Sequence, residues 1–175
     1  MATIHTIGSH PEDDYSSIMA WYNDLKGDIT QDGNAPYIAE LRGENLSEPG
    51  TAVIMIESET DADHYFHIRP MEGAGTKGDM SGYEASGVAS VYAIWAILDD
   101  YTKVENIAMT VESSAVVYIA GRHITLDGCA VGSGHWAPKH GEHAKVIYVW
   151  ASGDCYATIR NCIVGKYRVS SNPEW

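Results

Sequence analysis

Residues 153–165 read GDCYATIRNCIVG, and the same order of residue types occurs twice earlier, as GRHITLDGCAVG from 121 and DDYTKVENIAMT from 99. Placing Ile68, Val104, Leu126 and Ile159 in one column aligns four segments: DHYFHIRPM (63–71), DDYTKVENI (99–107), GRHITLDGC (121–129) and DCYATIRNC (154–162). Asp or Gly opens each segment, and Tyr65, Tyr101, His123 and Tyr156 follow two positions later. A turn former comes two after the branched residue (Pro70, Asn106, Gly128, Asn161), and Met71, Ile107, Cys129 and Cys162 close the pattern.

Each copy is preceded by another β-prone run: AVIMIES from 52, VYAIWAIL from 91, AVVYIAG from 115 and KVIYVWAS from 145. The repeating unit therefore reads as strand, tight turn, strand. Units begin 36, 22 and 33 residues apart (63 to 99, 99 to 121, 121 to 154), which fits a constant core with loops of variable length. A hairpin sandwich does not require partners to repeat one column order, whereas stacked parallel coils do, with like residues one strand spacing apart. The expected fold is thus all-β, a parallel solenoid. In it Cys129 and Cys162 share an inner column, and Asn106 and Asn161 share a bend from which an inward amide can bond neighbouring backbone.

At the N-terminus the period changes. In DYSSIMAWYNDL, Ile18, Trp21, Tyr22 and Leu25 fall at i, i+3, i+4 and i+7, the stripe of an amphipathic helix. Asp13 or Asp14 is placed to cap it and Gly27 to stop it. A solenoid leaves strand edges and core open at its ends, so this helix is expected as a lid. Residues 1–30 are read as the capping segment and 31–175 as the coils, one domain overall.

The 175 residues carry 11 Lys and Arg against 24 Asp and Glu, a net charge of -13. That field repels phosphate backbones and anionic bilayers, so neither nucleic acid nor membrane is expected as a partner. No basic region followed by an apolar stretch begins the chain, and no export signal is read from it. Three cysteines without CxxC spacing suggest free thiols in a reducing compartment.

Taken together, the repeated segments, TIGSHPEDDYSSIMAWYNDL, APYIAELRGE and ESETDADHYFHIRP resemble right-handed parallel β-helix proteins of the pectate-lyase-like kind, in particular the amino-terminal portion of those of bacteriophage type. The matching features span residues 3 to 165. The resemblance implies a virion location, after synthesis in the host cytoplasm, and assembly as a homotrimer with itself and with other virion proteins. It also implies an outer sheet face on which acidic residues bind calcium or cleave a polysaccharide.

On that face the candidates are Asp99, Asp100, Asp127 and Asp154, with Arg122 and Arg160. The column shared by Asp99, Gly121 and Asp154 reads instead as a turn position. His140 and His143 in GHWAPKHGEH are the best metal pair, yet the Gly- and Pro-rich setting fits a solvated loop, so no metal or other cofactor is expected. GxSxG, Walker and dinucleotide motifs are missing from the sequence. The reading is a non-catalytic structural module that decorates or stabilises a phage capsid, or forms part of its tail or fibre, with Trp136, Tyr148, Trp150 and Trp175 as docking surface. The alternative is a tailspike-like protein that binds or cleaves polysaccharide, its aromatics stacking on sugar rings.

Overall fold

In β5 (Ser90–Ile97) the side chains of Val91, Ala93, Trp95 and Ile97 are buried, while Tyr92, Ile94 and Ala96 between them are half-buried, the period of two that a pleated strand imposes. The computed structural model describes residues 2–76, 89–111, 115–133, 145–150 and 156–166. Around β5 its elements run β1 (Thr3–Ile7), α1 (Ile18–Leu25), β2 (Tyr37–Leu41), β3 (Asn45–Met55) and β4 (Phe66–Pro70) before it. After it come β6 (Lys103–Glu105), β7 (Ala108–Val111), β8 (Ala115–Ile119), β9 (Ile124–Asp127), β10 (Ala130–Ser133), β11 (Lys145–Val149), β12 (Ala157–Arg160) and β13 (Ile163–Lys166).

All named strand pairs are parallel. One sheet has six strands in the order β1-β2-β4-β6-β9-β12. The other follows β11-β8-β5-β7-β10-β13, with β3 joined to β5. This corrects the expected β-helix solenoid. The strands form two parallel sheets in an α/β-like arrangement, and the second sheet forks: β5 pairs β3 on one side and both β7 and β8 on the other. A long strand facing two short ones cannot be one uniform coil repeated. The strand, turn, strand unit also overlooked β7, β10 and β13, which follow the turn residue of the last three aligned segments.

The register nevertheless places Ile68 beside Val104, Val104 beside Leu126, and Leu126 beside Ile159. In the second sheet Val91, Met109, Val131 and Val164 form a parallel column. All members of these columns except the last, Ile159 and Val164, meet in one core that includes Trp21, Phe66 and Trp95. Each large apolar side chain buried there contributes about 1.5–3 kcal/mol. Asn106 and Asn161 are exposed, with φ 52 and 53, and Gly128 between them in the column has φ 64. The Asn column is therefore a left-handed turn on the surface rather than an inward amide ladder, which explains why Asn and Gly alternate in it.

Helix α1 buries Ile18, Trp21 and Tyr22, and its N-cap is Ser17, whose hydroxyl accepts from Ala20 N at 3.1 Å. Asp13 and Asp14 do not cap it: they bind Arg42 and Thr6. The chain leaves the helix through Lys26 into Gly27, at φ 138. None of the helices among the described residues is long and apolar enough to cross a membrane.

Candidate functional site

Alternation along the six-stranded sheet sends two columns of polar side chains outward. One runs Glu40, Arg69 and, further along, Glu105, Asp127 and Arg160; the other carries His67, Lys103, Thr125 and Thr158. Opposite charges on adjacent strands pair off. Arg69 donates to Glu40 through Nε at 3.1 Å and Nη2 at 2.6 Å, and Arg160 Nε donates to Asp127 Oδ2 at 2.8 Å. Asn161 Nδ2 donates to the other Asp127 oxygen at 2.8 Å, and these bonds, that from Asn161 first, hold the Asp127 carboxyl below its ordinary range. His67 Nε2 lies 2.9 Å from Glu105 Oε2. Burial pushes the imidazole below its usual value against the pull of Glu105, which favours the neutral ring.

The candidate acids are thereby separated rather than gathered. Asp100 receives Arg122 N at 2.7 Å and Arg122 Nε at 2.8 Å. Asp99 is buried at the end of β5. Tyr22 OH donates to its Oδ2 and Ser58 N to its Oδ1, at 3.0 Å for the second. Burial pushes the Asp99 carboxyl up, and burial with the Asp99 bond raises the Tyr22 hydroxyl beyond its normal range. Gly121 stacks on this turn so closely that a Cβ there would lie 2.5 Å from Asp99 O, which accounts for glycine in the column. Asp99, Asp100 and Asp127 thus fasten helix to sheet or strand to strand, and Asp154 lies outside the described residues.

Among the described residues no group of three or more His, Cys, Asp or Glu side chains is arranged to hold a metal ion. His140 and His143 lie outside them, as do Trp136 and Trp175. Of the surface aromatics, Tyr148 on β11 packs edge-on against Tyr118 at 5.9 Å between centroids. Trp150, exposed, donates its backbone N–H to Ile119 O at 2.8 Å.

The aromatic column becomes a ladder: Tyr101 stacks on His123 at 4.6 Å, and His123 on Tyr156 at 5.6 Å. Tyr101 and His123 both sit at positive φ, 54 and 58. Before them Lys103 Nζ lies 3.8 Å from the Tyr65 ring centroid, a cation over its face. Tyr101 and His123 are taken up by stacking on one another, while Tyr156, the last ring of the ladder, is 58% exposed.

The last strands offer a different surface. Ile159 on β12 is 41% exposed although its register partner Leu126 is fully buried, and Val164 on β13 is 48% exposed beside fully buried Val131. No further strand pairs with β11, β12 or β13 among the described residues. Open strand edges and core at the end of the stack were an expectation from the sequence; the exposure of Ile159 and Val164 names the residues that bear it. Sequence reasoning missed Glu48, buried on β3, whose carboxylate accepts from Ile18 N at 2.8 Å and Met19 N at 3.1 Å. Comparison with family models, with curated proteins and with solved structures returns no match.

Proposed function

We propose that this chain is a non-catalytic structural module that assembles with copies of itself and with other components of a bacteriophage particle. The observation that carries the reading is the last edge, which no strand among the described residues pairs with and where main-chain groups of β12 and β13 stand beside the half-exposed Ile159 and Val164. A strand from another chain laid there would meet the same column chemistry that holds β12 on β9. The outward carboxylates spent on Arg69, Arg122 and Arg160 favour cohesion over acid–base chemistry. The virion setting rests on the sequence resemblance alone.

Native mass measurement with sedimentation, on the full chain, tests assembly. A closed oligomer is expected: three copies by the resemblance, two if one last edge pairs with another. A monomer at all concentrations would overturn self-association. Co-purification with particles tests the setting, and depolymerisation of a polysaccharide would overturn the non-catalytic reading in favour of a tailspike-like enzyme.

A further inference from the structure

Cys129 and Cys162 each follow a left-handed turn residue, Gly128 and Asn161, at equivalent places on neighbouring strands. The register around them is unbroken. Asp127 pairs with Arg160 before the turn, Ala130 with Ile163 after it, and Ile163 N donates to Cys129 O at 2.9 Å. The two cysteine backbones are thus one strand spacing apart, about 4.8 Å, within the Cα separation of roughly 4.4–6.8 Å that a disulfide spans. Both side chains turn the same way. Cys129 Sγ lies 3.4 Å from Val104 O and Cys162 Sγ 3.5 Å from Leu126 O, and those carbonyls belong to register partners.

We propose that Cys129 and Cys162 form a peroxide-responsive dithiol that closes to a disulfide and locks β12 and β13 onto β9 and β10. Cys162 is half-buried and Cys129 buried, so a small oxidant reaches Cys162 first. The neighbouring Cys129 thiol lowers the Cys162 thiol to about 6, while the same closeness, with burial, holds the proton on Cys129. The Cys162 thiolate attacks one oxygen of hydrogen peroxide, breaking the O–O bond to give a sulfenic acid and hydroxide. Cys129 then attacks the sulfenic sulfur, its proton leaving with the expelled hydroxide as water. In sum, two thiols and one peroxide give one disulfide and two waters; sulfur loses two electrons and oxygen gains them. The inference goes beyond the assembly reading and does not depend on it, since a monomer could carry the same lock.

The test uses the full-length reduced chain. In the absence of oxidant, iodoacetamide at pH 7 should alkylate Cys162 about tenfold faster than Cys129. After stoichiometric hydrogen peroxide and quenching, intact mass should fall by two hydrogens, and the non-reduced peptide map should join the peptides of Cys129 and Cys162 with Cys155 still alkylated. The oxidised chain should unfold at higher denaturant than the reduced one. C155S should keep the link, and C162S and C129S should lose it. Because C129S alters the core, the wild-type peptide map carries the decision should that variant not fold. A link through Cys155, a link between chains, or over-oxidised Cys162 beside free Cys129 would overturn the proposal.

Discussion

The two ends of the stacked sheets are built from the same kinds of strand and finished in opposite ways. At the first end the free edge of β1 is closed by the chain itself: Thr6 N donates to Asp14 Oδ2 at 2.7 Å, Tyr15 N to Thr6 O at 3.1 Å, and Gly8 N to Tyr15 O at 3.1 Å. Helix α1 does the same for β3, through Glu48 at its N-terminus and through Met19 Sδ, which accepts from Ile54 N at 3.1 Å. At the last end β12 and β13 receive no such cover from the described residues. Exposure in a column is therefore set by place in the stack rather than by residue type, and raw edges are where association is expected.

Breaking the core column at its middle and at its end is the strongest test of this difference. Leu126→Ala should cost about 2–5 kcal/mol, because it leaves a cavity between Val104 and Ile159. Ile159→Ala should cost about 1 kcal/mol in the isolated chain, since much of that side chain is already in water. Equal losses in chemical denaturation would mean that the last strands are covered, and the contrast between the ends would fail.

The next largest effect belongs to the closed end. Glu48→Ala removes the acceptor for two helix N–H groups in a buried place, at a cost of about 1–3 kcal/mol. Amides of α1 should then exchange hydrogen faster than those of β9. If protection in the helix is unchanged, Glu48 is not what fastens the lid.

How much of this was legible in the sequence depends on what each interaction repeats. The column Ile68, Val104, Leu126, Ile159 could be read because parallel register puts like beside like, and the helix because its stripe has its own period. The fork at β5 could not: VYAIWAIL reads as one strand, and nothing in it says that two separate partners, β7 and β8, divide its length. Asn106 and Asn161 were found as a column but given the wrong direction, since Asn is as much a left-handed turn former as an inward donor. Glu48 and the Tyr22–Asp99 bond gave no signal, being single contacts between residues 30 and 77 positions apart. The pairs Arg160–Asp127 and Arg122–Asp100 were present among the candidate residues, yet sequence offered no way to tell a spent carboxylate from a free one.

Protonation sharpens the comparison, because the buried carboxyls that fasten the helix and the carboxyls held by hydrogen-bond donors elsewhere shift in opposite directions. Burial raises Glu48 and Asp99 above their unfolded values, so between those values and the raised ones the folded chain binds more protons than the unfolded chain. Their contribution to stability therefore grows as pH falls from neutrality through that window. Asp13, Asp14, Asp61 and Asp127 are held below their unfolded value by their hydrogen-bonding partners, and what they contribute is lost below pH 3.8 as pH drops through their folded values. The denaturation midpoint should rise on mild acidification and then collapse. Asp99→Asn should flatten the rise and leave the collapse in place; an unchanged rise would assign it to relief of the net charge of -13 instead.

The smallest effect contrasts the ion pairs of the two ends. Arg42 grips Asp13 at the closed end through Nε, at 3.2 and 3.0 Å, and Nη2, at 2.5 Å, with the Asp13 side chain only 1% exposed under a thin cover of its own partners. Arg160 at the open end is 62% exposed, and its pair with Asp127 is screened by water and salt. Arg42→Ala should lower the thermal midpoint and strand the Asp13 carboxylate beside the His10 N–H that also holds it. Arg160→Ala should leave the midpoint of the dilute chain unmoved at 0.5 M salt, yet weaken self-association measured by sedimentation at low salt, because only in an assembly would that edge lose its water. If Arg160→Ala instead lowers the dilute midpoint as far as Arg42→Ala does, the last edge is already closed within one chain, and association has to be sought on another face.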